Sequence, residues 1–179
     1  MSSVKANREY WNRISGEYQR RHDRQIGAAP RLWGNFSLPD RDLGALGHVT
    51  GRRVLELGCG AGQWSRALAG EGGQVVGFDL SDAQLRAARD AMGTVRHPLV
   101  QGAAQRLPFA SASFDLVFCD HGGLSWAPPE LAVPEAARVL RPGPGMRSGY
   151  VTYDPPDWAR RWPCEALWVT HKPADEARP

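Results

Sequence analysis

Val54-Leu-Glu-Leu-Gly-Cys-Gly-Ala-Gly62 is an apolar run that carries one acidic residue and closes on alternating glycines, and Val75-Val-Gly-Phe-Asp79 follows it. Together they read as strand, tight turn, helix, second strand and terminal carboxylate, the layout with which a parallel sheet holds a nucleoside-bearing cofactor. Gly58, Gly60 and Gly62 lack the Cβ atoms that would keep the backbone away from a ligand, and they open conformations closed to other residues. Asp79, at the carboxyl end of the second strand, is placed to accept hydrogen bonds from both hydroxyls of a ribose. A bare strand-to-helix turn is the alternative for the glycines, and a helix cap or surface carboxylate the alternative for Asp79.

Outward from this centre the hydrophobic period alternates between strand and helix. Upstream, Val4 to Arg24 carries apolar groups at Tyr10, Trp11, Ile14 and Tyr18, a spacing that predicts an amphipathic helix. Gly27 to Gly47 is rich in glycine and proline and reads as a loop with one short helical piece. Strand Arg53 to Leu57 leads to a helix near Gln63 to Ala69. Strand Val75 to Asp79 leads to a helix capped by Ser81 and running to about Met92. A third strand is expected near Pro98 to Gln101 and a buried fourth over Phe114 to Cys119. Glu130 to Leu140 reads as a helix, with Pro134 tolerable only near its start, closed by Arg141-Pro142-Gly143. Strands alternating with helices predict an α/β fold: a three-layer α/β/α Rossmann-like sandwich with a mostly parallel sheet. The chain divides into an amino-terminal helix and loop over the cofactor site (1–47), a cofactor-binding core (48–143) and a Pro- and Trp-rich tail (144–179).

A length of 179 residues with 42% hydrophobic and 23% charged side chains fits one ordinary soluble domain. The net charge of +3 and pI near 9.0 are mildly basic, but the arginines are scattered, so a nucleic-acid partner is not implied. Cys59, Cys119 and Cys164 are odd in number and far apart, which argues against a disulfide framework or zinc site and for a reducing cytoplasm. His22, His48, His97 and His171 have no metal-like spacing and are expected at the surface, and nothing in the sequence requires a bound metal. No signal-type stretch and no run of about 18 apolar residues is present, so neither export nor membrane spanning is expected.

Leu55-Glu-Leu-Gly-Cys-Gly-Ala-Gly62, Gly77-Phe-Asp-Leu-Ser81, Arg106-Leu-Pro-Phe109, Ser113-Phe-Asp-Leu-Val117 and Ala137-Arg-Val-Leu-Arg-Pro-Gly143 form an ordered set. This set resembles the class I S-adenosylmethionine-dependent methyltransferases, in particular the type 11-like methyltransferase domain, over Tyr10 to Gly143. The glycines alternate rather than taking the wider dinucleotide spacing, and no P-loop lysine follows them. The resemblance implies that Glu56 and the Gly58 to Gly62 loop, Cys59 included, surround the methionine part of S-adenosyl-L-methionine. It implies that Asp79 binds the ribose, Leu80 packs against the adenine, and Ala104 and Gln105 border its other edge. Many relatives carry an acidic residue where Ala103 stands, so one adenine contact is missing from the pattern. Glu56 has a second reading as a buried partner of backbone amides.

The implied reaction moves a methyl group to an O, N or C atom of a small-molecule acceptor by in-line displacement. It depends mainly on orientation and desolvation, and a general base is needed only for an acceptor that arrives protonated. Asp120 and His121, just beyond the fourth strand, stand at the edge where open α/β sheets place ligands and are the candidates; shaping the loop before Gly122-Gly123 is their alternative role. Tyr10, Trp11, Tyr18 and Trp126 can form an aromatic lid that favours a cationic sulfonium, with plain core packing as the alternative. Cys119 is expected to behave as a small hydrophobe, and Cys59 to fit the turn without a redox role.

The tail departs from the family pattern. Only Gly149 to Tyr153 reads as a short strand, and Pro155, Pro156, Pro163 and Pro173 interrupt any later ladder, so the carboxyl-terminal antiparallel strands are expected to be missing or incomplete. The tail therefore reads as an altered ending on a shortened methyltransferase domain. A cofactor-binding but catalytically impaired interaction or regulatory protein is the alternative function, and a nucleotide-cofactor oxidoreductase a third that the alternating glycines disfavour.

Overall fold

The computed structural model describes residues 3–26, 31–34, 38–120, 122–141, 149–150 and 170–171. The chain opens with helix α1 (Ser3–Ile26), a two-strand hairpin of β1 (Leu32–Trp33) and β2 (Leu38–Pro39), and a helical turn α2 (Asp40–Leu43). The alternating core follows: β3 (Arg53–Leu57), α3 (Gln63–Gly70), β4 (Gln74–Asp79), α4 (Asp82–Ala91), β5 (Leu99–Gln101), β6 (Leu116–Phe118), α5 (Gly122–Ser125) and α6 (Pro129–Val139). Two short strands, β7 (Gly149–Tyr150) and β8 (Thr170–His171), pair antiparallel in a sheet of their own.

The core strands form one parallel sheet in the order β5-β4-β3-β6, with Val54 opposite both Val75 and Leu116 and Gly77 opposite Leu99. Central β3 is buried from Val54 to Leu57, and successive side chains point to opposite faces. Val54 therefore packs with Trp33, Trp64, Leu68 and Phe118 on one side. Leu55 and Leu57 pack with Phe78, Phe114 and Val139 on the other. Each of these large side chains contributes roughly 1.5–3 kcal/mol by leaving water. The sandwich expected from the alternating period is thus present, with a four-stranded parallel sheet separate from the carboxyl-terminal pair.

The short helical piece expected between Gly27 and Gly47 is α2, and a hairpin stands beside it where loop was expected, because a buried polar knot gives it an anchor. Asp40 accepts from the Trp33 indole (2.8 Å) and pairs with the Arg31 guanidinium, which also reaches Glu71 (2.9 Å). A buried pair of this kind costs desolvation, and losing one partner costs more. The fourth strand is shorter than expected, with Phe114 reduced to an isolated bridge to Leu140. Pro134 lies inside α6 rather than near its start, so that helix forgoes one backbone hydrogen bond. Thr170–His171 forms a strand where none was expected, since pairing with Gly149–Tyr150 needs only two residues between prolines. His97 is buried rather than at the surface: it is 8% exposed, beside Gly62, with neither ring nitrogen hydrogen-bonded. Burial, with the Arg66 charge, lowers its pKa and keeps the ring neutral. Pro142, Gly143, Cys164 and His121 lie outside the described residues.

Gly77 shows how tightly the sheet face is filled. A Cβ there would stand 2.9 Å from Leu99 Cδ2 in β5, 3.0 Å from Cys59 Sγ in the glycine turn and 3.1 Å from Ser65 Oγ in α3. Overpacking of a close-packed core costs about 1–3 kcal/mol. Gly77→Ala is expected to lower the thermal midpoint accordingly in a calorimetric scan, whereas Gly70→Ala, in α3 with open space around it and no left-handed φ, should cost less.

Candidate functional site

The carboxyl ends of β3, β4 and β6 meet at one edge, and the sequence between β3 and α3 turns there. Gly58, Gly60 and Gly62 hold φ of 72°, 52° and 72°, in the left-handed region that only glycine enters without strain. The turn is anchored on β4: Gly58 N–H and Cys59 N–H both donate to the Phe78 carbonyl, at 2.7 and 3.1 Å. Gly60 N–H donates to Asp79 Oδ2 at 2.9 Å, and Ser81 N–H to Asp79 Oδ1 at 2.8 Å. Burial raises the Asp79 pKa, opposed by the amides of Ser81, Gly60 and Leu80. The loop is closed from the far side by α5, where a Cβ on Gly123 would lie 2.8 Å from the Leu57 carbonyl and 3.0 Å from Gly58 N.

Two further carboxyls converge on the same edge. Glu56 is buried, accepts a hydrogen bond from the Ser65 hydroxyl, and is pushed up to about 8 by burial, with the Asp120 and Asp79 charges adding to the shift and Ser65 opposing it. Asp120 accepts from the Trp64 indole at 2.9 Å through Oδ2 and from Gly34 N–H at 3.1 Å through Oδ1. Burial and then the Asp120 charge raise the pKa of the Tyr18 phenol. Cys59 is buried and its thiol is held well above its ordinary range by burial and by Glu56 and Asp79; burial pushes Cys119 up to about 12. Neither thiol ionises near neutral pH.

The remaining sequence candidates fall around the same edge. Gly102 N–H donates to the Asp79 carbonyl (3.0 Å) and Gln101 Nε2 to the Leu80 carbonyl (3.2 Å), which sets Leu80 beside the segment holding Ala104 and Gln105. All three are half-buried. The structure thus brings together Glu56, Gly58, Cys59, Gly60, Gly62, Asp79, Leu80 and Asp120, with Ala104 and Gln105 on the adjoining segment.

Helix α1 is seated over α4 by polar side chains that the apolar spacing does not show. Asn12 Oδ1 accepts from Ser81 Oγ (2.7 Å) and Ala83 N–H (3.3 Å), while its Nδ2 donates to Asp82 Oδ1 (2.6 Å). Ser81 in turn accepts from Gln84 N–H at 3.1 Å, as the N-cap of α4. Gln19 Nε2 donates to Gln84 Oε1 at 2.5 Å, and that oxygen lies 3.9 Å from where a Cβ of Gly60 would stand. Asn12, Gln19, Trp64, Ser65 and Gly34 are absent from the sequence candidates. Each acts through a partner distant in sequence, except Ser65, whose place one turn into α3 above the acidic strand residue is a signal readable in retrospect.

The four aromatic residues of the expected lid are in mutual contact. Tyr10 stacks on Trp126 at 5.3 Å, and Trp11 meets Tyr10, Tyr18 and Trp126 edge-on at 5.7, 5.4 and 5.5 Å. This arrangement of glycine turn, edge carboxyls and aromatic cover can enclose a cationic, nucleoside-bearing ligand. Among the described residues no group of His, Cys, Asp and Glu is arranged to hold a metal ion.

Comparison with known proteins fits this geometry. Residues 54–143 match the family described as methyltransferase domain. Over 141 residues the chain is 38% identical to demethylmenaquinone methyltransferase of Beutenbergia cavernae, with 77% of the chain and 52% of that enzyme covered. The chain therefore spans about half the length of that relative. Among solved structures it is similar to the [4+2]-cyclase SpnF, with a TM-score of 0.63 at 25% identity over 80% of this chain and 58% of that one. It shares its fold with phosphoethanolamine N-methyltransferase 1 of Haemonchus contortus, with a TM-score of 0.61 at 20% identity over 83% of this chain and 31% of that one. The family match begins in β3 and takes in the glycine turn, Asp79 and Asp120, and the chain belongs to the class I S-adenosylmethionine-dependent methyltransferases.

Proposed function

We propose that this chain binds S-adenosyl-L-methionine at the carboxyl edge of its sheet and moves the methyl group to an O, N or C atom of a small-molecule acceptor. The observation that carries the reading is the hydrogen-bonded union of the left-handed glycine turn with the Asp79 carboxylate, beneath α1. The group fits the site chemically. At Gly60 the turn leaves backbone open to a ligand, since a Cβ there would meet nothing nearer than Gln84 Oε1 at 3.9 Å. Asp79 and Asp120 make the edge acidic, which suits a sulfonium and an ammonium and opposes the pyrophosphate of a dinucleotide.

In this reading Glu56 and the Gly58 to Gly62 loop, with Cys59, hold the methionine part. Asp79 binds the ribose, and Leu80, Ala104 and Gln105 flank the adenine. When bound, the cofactor supplies an electrophilic methyl group on a sulfonium. The chain's own work is then to fix the acceptor in line and keep water out, the task of α1 in the amino-terminal segment 1–47 over the core 48–143. Asp120 is held at both oxygens by Trp64 and Gly34, and its carboxylate takes the proton of an acceptor that arrives protonated. His121 adjoins it in sequence and shares that candidacy. The likeness to the Beutenbergia demethylmenaquinone methyltransferase supports a small-molecule acceptor rather than a nucleic acid.

Calorimetric titration tests the site. S-adenosylmethionine is expected to bind the wild-type chain and to bind Asp79→Ala at least tenfold more weakly, with a nicotinamide dinucleotide giving no heat; a folded wild-type chain that gives none with S-adenosylmethionine would overturn the reading.

Glu56 supplies a second expectation, free of any ligand. Its folded-state value of about 8 lies above the ordinary 4.5. The folded chain therefore keeps a proton that the unfolded chain releases, and the contribution is present below about 4.5 and lost as pH rises toward 8. Between pH 6 and 9 wild type should lose about 2–3 kcal/mol of stability relative to Glu56→Gln. Parallel denaturant titrations across that range measure the difference, and equal slopes would contradict it.

A further inference from the structure

His97 is a buried titratable side chain that has no part in the site built above. Its ring is 8% exposed, and both nitrogens are closed to water with no hydrogen-bond partner among the described residues. Buried polar atoms in folded proteins are nearly always paired, so an orphaned imidazole points to a constraint other than packing. An aliphatic side chain would fill the same space without the cost of burying unpaired nitrogens.

The ring lies where three parts of the fold meet. Its Nε2 is 3.8 Å, and Ala88 Cβ of α4 is 3.2 Å, from the point at which a Cβ of Gly62 would stand. Gly62 is both the last glycine of the turn, with φ of 72°, and the N-cap of α3. Its N–H donates to the Cys59 carbonyl at 2.8 Å, and its carbonyl accepts from Arg66 N–H at 2.9 Å. Neutral His97 therefore stands behind the glycine turn and fills the seam between α3 and α4. A proton on the ring would make both nitrogens donors, and neither has an acceptor in reach among the described residues. The charged group that acts on the ring from α3 is Arg66, and after burial it lowers the pKa further. From α4 the ring meets Ala88, while Arg89 and Asp90 of that helix are exposed, as is Arg96 on the ring's own segment.

We propose that His97 is a proton-sensitive prop for the glycine turn: the neutral ring holds Gly62 in place, and the protonated ring leaves the seam for water, so that the turn loses its shape in mild acid. Arg96 and Pro98, exposed on either side, give the ring a short way out. The direction follows from linkage. A ring that is harder to protonate when seated stabilises the seated state fully above the ordinary histidine value of 6.5, and that contribution is lost as pH falls below it. The coupling is reciprocal, so a ligand held by the formed turn makes His97 harder still to protonate. Only the identity of that ligand rests on the methyl-transfer reading; the link between ring and turn is independent of it.

NMR on the full chain follows both ends of the coupling, the ring of His97 by its titration and the turn by hydrogen exchange at Gly62 N–H, which donates to Cys59. Between about pH 7.5 and 5 wild type is expected to lose Gly62 protection about tenfold, with the midpoint of the His97 ring, while His97→Leu and His97→Gln, neutral at every pH, keep it. Calorimetry with S-adenosylmethionine gives a second readout. Asp79 and Glu56 titrate in wild type and variants alike, so the difference between the chains isolates His97. The affinity lost between those pH values should be about five- to tenfold greater in wild type than in either variant. Thermal melts at both pH values identify the folded variants, and glutamine serves where leucine does not fold. Gly62 protection in wild type that ignores the His97 titration, or equal acid losses of affinity in wild type and a folded variant, would overturn the proposal. A wild-type chain whose Gly62 protection follows His97 but which gives no heat with S-adenosylmethionine at either pH would overturn the methyl-transfer reading and leave the prop standing.

Discussion

The hydrogen bond from Gly60 N–H to the Asp79 carboxylate ties the turn after one parallel strand to the end of its neighbour, and the rest of the site is arranged around that tie. It forms only because β3 and β4 run in register, with Leu57 opposite Phe78, so that both strands finish at the same height. A one-residue slip would send each strand's apolar set to the opposite face and move Asp79 away from the turn. The packing of Val54 on one side and Leu55 and Leu57 on the other therefore fixes the position of a carboxylate that takes no part in that packing. Core and site are consequences of the same register.

Bringing Glu56, Asp79 and Asp120 to one edge has an energetic cost that the fold offsets locally. Asp79 accepts from backbone amides and Asp120 from an indole and an amide, whereas Glu56 is buried with the Ser65 hydroxyl as its hydrogen-bond donor, and burial pushes it up to about 8. Such an edge is poorly made for its own stability and well made for a cation. The similarity of the fold to the cyclase SpnF shows that this architecture is not tied to one reaction, so the chemistry has to be argued from the residues at the edge rather than from the sheet.

What the sequence made legible was local. The apolar run of β3, the alternate glycines, the strand ending in Asp79 and the Ser81 cap each depend on residues a few positions apart, and the structure has each where the period placed it. What it left unread was long-range. Nothing near Asn12 announces a partner at Ser81, and nothing near Gly34 announces Asp120. His97 misled for a related reason: a polar residue type suggests water, but the space beside Gly62 is filled by whichever side chain the preceding turn delivers. Pro134 and the Thr170–His171 strand show the reverse case, in which local rules against a proline or for a longer ladder yielded to context.

The seam between α1 and α4 is made largely of amide and hydroxyl groups, and this sets its response to temperature. The sheet's core draws its strength from apolar burial, whose large heat-capacity change makes stability rise and fall with temperature. Hydration of the amide and hydroxyl groups in that seam changes the heat capacity in the opposite sense, so their hydrogen bonds carry less of that curvature. Hydrogen bonds in the cover and apolar burial in the core are thus forces with different thermal characters.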